Sequence, residues 1–173
     1  MNILAHFKNI RVFVFDVDGV LTDGTLLVLN DGQMARRMHI KDGYAIQLAI
    51  KKGYKLIVVS GSQSDAVINR LNKLGVIDIR MNVSDKLEIL QSIISEYKVK
   101  TEELLFMGDD MPDLPAIKIV GLSCCPADAA TEIKEVAHYI SHLNGGMGCV
   151  RDVIEKVLKL NSHWSENEGI ASI

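Results

Sequence analysis

Short runs of consecutive apolar residues alternate along the chain with longer amphipathic stretches. Residues 11–15 (RVFVF), 54–59 (YKLIVV), 104–107 (LLFM), 119–124 (IVGLSC) and, more weakly, 137–140 (AHYI) are too short for helices. Continuous runs of this length suit strands buried on both faces, as in a parallel sheet. Helical spacing fills the gaps. Residues 43–52 gather Ile46, Leu48, Ala49 and Ile50 mostly on one side, and residues 63–74 carry Val67, Ile68, Leu71 and Leu74 before stopping at Gly75. Residues 85–97 carry Leu87, Leu90, Ile93, Ile94 and Tyr97 behind an N-cap at Ser84 or Asp85. Residues 150–160 repeat the pattern with Val150, Val153, Ile154, Val157 and Leu158. This alternation predicts an α/β fold, a Rossmann-like parallel sheet flanked by helices. One segment breaks the rhythm. Residues 25–29 (TLLVL), the turn Asn30-Asp31-Gly32 and residues 33–40 (QMARRMHI) read as a β-hairpin between the first strand and the first of these helices.

Composition narrows the class. The 173 residues are 48% hydrophobic and 24% charged, which suits a globular domain and not a disordered chain. A formal net charge of -3 argues against a broad nucleic-acid-binding face. Cys124, Cys125 and Cys149 are badly spaced for a disulfide framework or a zinc site, which points to a reducing cytoplasm. No apolar run approaches the roughly 20 residues that span a bilayer. Lys8, Arg11 and Asp16 interrupt any signal-peptide core near the N-terminus. Residues 1–160 are expected to form one domain. Residues 161–173 form a polar tail, expected to be mobile in the isolated subunit.

Three predicted strand ends carry polar groups: Asp16-Val17-Asp18, Ser60-Gly61, and Gly108-Asp109-Asp110 with Asp113 close behind. In an open parallel sheet ligands bind outside the carboxyl ends of the strands, so these groups converge on one crevice, which Lys86 can join from a helix start. Carboxylates crowded together cannot all stay ionised without a cation, and a hard ion with oxygen ligands, Mg²⁺, resolves the conflict. A carboxylate beside it can attack phosphorus. Lys86, the Ser60 hydroxyl and backbone N–H groups from Gly61 onward can hold the transferring group. A second carboxylate two residues after the nucleophile can protonate the leaving oxygen and then activate water. Taken singly, an Asp-x-Asp, a Ser-Gly or a Gly-Asp-Asp is more often a turn, and Pro112-Asp113 is compatible with a simple helix cap. Their joint order on this structural class is what carries the reading.

Asp16-Val17-Asp18-Gly19-Val20-Leu21-Thr22, Ser60-Gly61, Lys86 and Gly108-Asp109-Asp110 resemble the four signature motifs of the haloacid dehalogenase superfamily. The resemblance implies that Asp16 is the nucleophile and Asp18 the general acid/base. It implies that Ser60 and Lys86 hold the phosphoryl group, that Asp16, the Asp18 backbone carbonyl and Asp109 ligate Mg²⁺, and that Asp110 and Asp113 orient water or Lys86. Only 23 residues separate Asp18 from Asp42 and 25 separate Ser60 from Lys86, too few for a cap domain of at least roughly 50 residues. A capless core needs another cover for its site, and a neighbouring subunit suits.

The capless size, the hairpin and further stretches resemble the 3-deoxy-D-manno-octulosonate 8-phosphate phosphatase family. These stretches are Asp16 to Gly24, Ile40-Lys41-Asp42-Gly43-Tyr44, and Gly145-Gly146-Met147-Gly148 followed by Val150-Arg151. The likeness runs from about Ile10 to Leu158, and Gly169 to Ile173 resembles the family's tail. It implies a small-molecule sugar-acid phosphate substrate in lipopolysaccharide synthesis, the cytoplasm of a Gram-negative bacterium, and a homotetramer whose hairpins cover neighbouring sites. Leu27, Met34 and Met38 would form the apolar face of that hairpin assembly. Nucleic-acid and membrane partners are not expected.

The chain departs from the family at Ser62, where many members carry an arginine that can engage the substrate carboxylate. A sister branch acting on nine-carbon 2-keto-3-deoxy sugar acid phosphates differs in the same region, so both sugars stay open. Lys41, Arg70 and Arg36 or Arg37 are candidate replacement cations, with Ser62 itself a candidate contact. Gly145, Gly146 and Gly148 read as backbone turns near the site mouth, with a phosphate cradle as the alternative. Trp164 reads as a docking anchor. Two non-enzyme classes compete. A response-regulator receiver needs an aspartate where Ser60 stands, and an inactive phosphatase-like scaffold would not keep Asp16, Asp18 and Lys86.

Overall fold

The computed structural model describes residues 2–165 and 169–170. Helix α1 (Ile3–Asn9) leads into strand β1 (Val12–Phe15), then a tight loop over residues 17–21. The hairpin strands β2 (Leu27–Val28) and β3 (Met34–Ala35) precede α2 (Ile40–Lys51) and β4 (Lys55–Val59). Next come α3 (Asp65–Lys73), β5 (Asp78–Arg80), α4 (Lys86–Tyr97) and β6 (Leu104–Met107). The chain closes with α5 (Leu114–Ile117), β7 (Leu122–Cys125), α6 (Thr131–Val136), β8 (Tyr139–Ile140) and α7 (Cys149–Leu160).

Six strands form one all-parallel sheet in the order β5-β4-β1-β6-β7-β8. Central β1 explains the unbroken apolar runs, because both of its faces are covered. Phe13 and Phe15 pack with α1, α2, α3 and α7, whereas Val12 and Val14 pack with α4, α5 and α6. The chain order reverses on either side of β1, so the C-terminal ends of β1, β4 and β6 meet at the topological switch point. The hairpin is the insertion between β1 and α2, and among the described residues no cap domain accompanies it. No helix of the described residues is long and apolar enough to cross a membrane.

Several elements differ from the sequence expectation. The run at 119–124 becomes a strand only from Leu122, because Gly121 is pinned by an N–H bond to the Thr101 carbonyl and Ile119 and Val120 pack below α5. Strand β5 escapes notice because it is a short edge strand alternating with charge, its Arg80 paired to Asp78 and Glu96. Helix α2 begins three residues early, with His39 as its N-cap. The hairpin strands are shorter than the apolar runs that suggest them. The first residues of the polar tail are packed, not loose. Trp164 meets the Tyr44 ring and the Arg151 guanidinium, Tyr54 bonds His163 at 3.0 Å, and Asn161 Nδ2 donates to the Lys8 carbonyl. The Gly169–Ile173 resemblance lies largely outside the described residues.

Candidate active site

Asp16 leaves β1 as the sheet ends, and its Oδ1 accepts the Val17 N–H at 2.7 Å. The chain then turns sharply, with Gly19 at φ +87°, a left-handed conformation that a side chain resists. A Cβ there would also lie 2.0 Å from Asp109 Oδ2, so the Asp18-Gly19 loop can approach the β6 loop only with glycine. Ser60 leaves the adjacent β4 and is held by its N–H to the Arg80 carbonyl at 2.8 Å. Lys86 opens α4 behind the N-cap Asp85.

These elements bring Asp16, Asp18, Ser60, Lys86, Asp109 and Asp113 around one cavity of about 310 Å³, which Gly61, Ser62 and the exposed Asp110 also line. Lys86 Nζ lies 3.0 Å from Asp16 Oδ2 and 2.5 Å from Asp113 Oδ1. Asp113, only 1% exposed, spends its other oxygen on the N–H groups of Asp109 and Asp110 at 2.9 and 3.3 Å. It therefore fixes both the lysine and the loop after β6. Read from sequence, Asp113 is hard to tell from a helix cap, and it does help cap its own short turn. Its grip on Lys86 links positions 27 residues apart, which no local pattern reports.

Oxygens of Asp16, Asp109 and Asp113 all lie within 4.8 Å of one another. Burial, then the Asp113 charge, push the Asp16 carboxyl up, against the pull of Lys86. Burial first, then Asp16 and Asp113, push Asp109 up to about 7. Burial alone would lower Lys86, but the charges of Asp16 and Asp113 outweigh it and raise its pKa. One ammonium does not balance three carboxylates. With Asp113 committed to Lys86 and the loop, Asp16 and Asp109 are left as oxygen donors that fit a hard divalent cation.

The Asp18 carboxylate is oriented by a different set. Arg36 Nε donates to Asp18 Oδ1 at 2.6 Å, Arg36 Nη2 donates to Asp18 Oδ2 at 3.3 Å, and Ser62 Oγ donates to Asp18 Oδ2 at 2.8 Å. Ser60 Oγ lies 3.0 Å from Ser62 Oγ. Of the candidate replacement cations, Arg36 alone reaches Ser62. Lys41 lines a separate cavity beside α7, Arg70 lines one beneath the hairpin, and Arg37 is exposed near Asp23. The glycine loop at 145–148 is not a phosphate cradle. It buttresses the Asp18 loop from behind, with the Gly146 N–H on the Val20 carbonyl at 2.9 Å, and a Cβ on Gly145 would fall 1.9 Å from the Gly19 oxygen.

A parallel sheet presenting this chemistry at its switch point places the chain among the haloacid dehalogenase-like hydrolases, and the family of that description matches residues 72–154. The 3-deoxy-D-manno-octulosonate 8-phosphate phosphatase KdsC of Salmonella typhi is 30% identical over 97% of this chain and 89% of its own length. The crystal structure of that phosphatase from Yersinia pestis superposes with a TM-score of 0.91 at 30% identity, covering 98% of this chain and 90% of that one. The Moraxella catarrhalis phosphatase, solved with magnesium, phosphate and a KDO molecule, superposes with a TM-score of 0.88 at 30% identity, covering 91% of each chain. The chain belongs to the 3-deoxy-D-manno-octulosonate 8-phosphate phosphatase family.

Proposed function

We propose that this protein is a Mg²⁺-dependent phosphatase that hydrolyses 3-deoxy-D-manno-octulosonate 8-phosphate to the free sugar acid and phosphate, in the cytoplasm, for lipopolysaccharide synthesis. The observation that carries the reading is the Asp16, Asp109 and Asp113 cluster facing Lys86 at the switch point, in a chain that matches phosphatases of this substrate along nearly its whole length. Asp16, Asp109 and the Asp18 backbone carbonyl would hold Mg²⁺, which would neutralise the site and disperse charge from the phosphoryl oxygens.

The residues divide the work as follows. Lys86 and Ser60 bind the phosphoryl group and disperse its charge, and Gly61 adds a backbone N–H. An Asp16 oxygen attacks phosphorus while the bond to the sugar oxygen breaks, and protonated Asp18 gives its proton to that leaving oxygen. Asp18, now a carboxylate, takes a proton from water. The water oxygen attacks phosphorus, the Asp16–phosphorus bond breaks, and phosphate leaves with Asp16 restored. Asp113 positions Lys86 and the Asp109 loop. Asp110, at the rim, orients water.

We also assign a homotetramer in which the hairpins of neighbouring subunits cover the sites. Its support is the hairpin itself: Leu27, Val28 and Met34 are 65%, 68% and 53% exposed, a costly apolar face for an isolated chain.

A phosphate-release screen with Mg²⁺ tests the reading. Eight-carbon keto-deoxy sugar acid phosphate is expected to be hydrolysed faster than the nine-carbon homologue and far faster than hexose phosphates. Preference for the nine-carbon acid would move the chain to the sister activity. Asp16→Asn is expected to abolish release while leaving the circular dichroism spectrum intact. Normal release by that variant would exclude an aspartyl-phosphate.

A further inference from the structure

Arg36 belongs to the hairpin, yet its side chain is only 5% exposed, because it lies against the loop that carries Asp18. Four of its five N–H donors are engaged: Nε and Nη2 on the two Asp18 oxygens, Nη2 again on Ser62 Oγ at 3.2 Å, and Nη1 on the Met34 carbonyl at 3.3 Å. Asp18 is equally occupied, accepting from Arg36 on both oxygens and from Ser62 on one. An acid/base that must reach a leaving oxygen and then a water is here tied down by its neighbours.

The clamp stands on a boundary. The acidic cavity and a second cavity of about 700 Å³ beneath the hairpin share Asp18 and Ser62, and Arg36 lines the second. A substrate whose phosphate sits among Ser60, Lys86 and Asp16 can extend its other end past Asp18 into that outer cavity, because the two cavities meet at Asp18 and Ser62. The charged side chains lining the outer cavity are Asp18, Arg36 and Asp65, so Arg36 is the one cation there among the described residues. A guanidinium matches a carboxylate with two parallel N–H bonds, the geometry it now makes with Asp18.

We infer that Arg36 is an exchange latch. In the resting enzyme its fork holds the Asp18 carboxylate, and in the complex the same fork transfers to the carboxylate of the sugar acid, releasing Asp18 to take up a proton from solvent and face the leaving oxygen. The substrate anion thus both docks on Arg36 and frees the acid/base. A phosphate ester without that anion binds its phosphate but leaves Asp18 clamped. Arg36 thereby acts as a specificity residue toward substrate and a positioning residue toward Asp18. The inference rests on the proposed sugar-acid phosphatase reading.

The test compares two alkyl phosphates whose leaving alcohols both need a proton. One is 3-deoxy-D-manno-octulosonate 8-phosphate. The other is ribose 5-phosphate, which has no carboxylate. Arg36→Gln is expected to lower kcat/KM for the sugar acid phosphate by about tenfold or more, mostly through KM. The same change is expected to raise kcat for ribose 5-phosphate severalfold, because Asp18 is no longer held. Arg36→Lys keeps the charge without the fork and should fall between wild type and Arg36→Gln on both substrates. It carries the same comparison if Arg36→Gln does not fold. A parallel fall on both substrates, or no change on either, overturns the latch while wild-type turnover of the sugar acid phosphate still upholds the reaction. Absence of that turnover in wild type overturns the reaction and the latch with it.

Discussion

Asp109 shows how a single carboxyl reports on the whole site. Burial and the neighbouring charges of Asp16 and Asp113 lift it from its ordinary 3.8 to about 7. Between those values the folded protein binds more protons than the unfolded chain. The contribution of this group to metal-free stability is therefore present at low pH and is lost as pH rises from about 4 to 7. Binding a divalent cation requires the ionised carboxylate and so competes with the proton. Mg²⁺ is accordingly expected to raise the melting temperature more at about pH 8 than at about pH 5.5, with the shift lost on adding chelator. Equal shifts at both pH values in a thermal scan would show that Asp109 is not a ligand. Asp42 illustrates the contrary case. Its Oδ1 caps α7 through the Arg151 N–H at 2.7 Å, its Oδ2 has no hydrogen-bond partner among the described residues, and burial raises it to about 6, so it serves the fold away from the cavity.

At the level of elements, the site depends on loops pressed together behind the strands. The Gly145-Gly146 segment lies on the backbone of Gly19, Thr22 and Asp23, while Thr22 Oγ1 accepts the N–H groups of Gly19 and Gly24. A methyl group at position 145 has no room beside the Gly19 oxygen, so the Asp18 loop would have to move. Gly145→Ala is expected to destabilise the protein by ~1–3 kcal/mol, the usual range for overpacking, and to lower kcat with little change in KM. Chemical denaturation and steady-state kinetics check the two effects. Full stability with full activity would mean that the buttress yields without cost. The helix starts matter for the same reason. Asp85 accepts the N–H groups of Leu87 and Glu88, which fixes where Lys86 leaves α4.

The whole molecule is a covered sheet with one uncovered appendage. Its two faces are packed by helices, whereas the hairpin projects an apolar strip made by Leu26 to Leu29 and Met34. Strips of this kind mark association surfaces. The wild type is expected to run as a tetramer on gel filtration and the double variant Leu27→Asp, Val28→Asp as a monomer, with turnover reduced at least several-fold. A wild-type monomer with full activity would contradict the idea that a neighbour covers the site. The packed start of the tail sets a related expectation. Trp164 seats the chain on Tyr44 and Arg151, so truncation after Asn161 is expected to lower the melting temperature and to alter steady-state turnover. Unchanged values in both measurements would make the segment dispensable.

The amino-acid order by itself determined the strands that matter, β1, β4 and β6, and the polar residues that follow each of them. Burial on both faces demands an unbroken apolar run, and the first polar residue after it marks the strand end. The neighbours in space of those residues were another matter. Arg36 is one of several equivalent cations in the sequence, and at Asp113 the residues alone are compatible with a helix cap, its orienting of water or Lys86 being what the family resemblance implies. The tertiary structure decided that Arg36 turns inward to Asp18 and Ser62, that Asp113 holds Lys86, and that the glycines at 145 and 146 support a backbone and not an anion. The physical reason is range. Hydrophobic periodicity records a residue's burial relative to its own element, whereas the direction of a long side chain across a loop depends on packing between segments that only folding brings together.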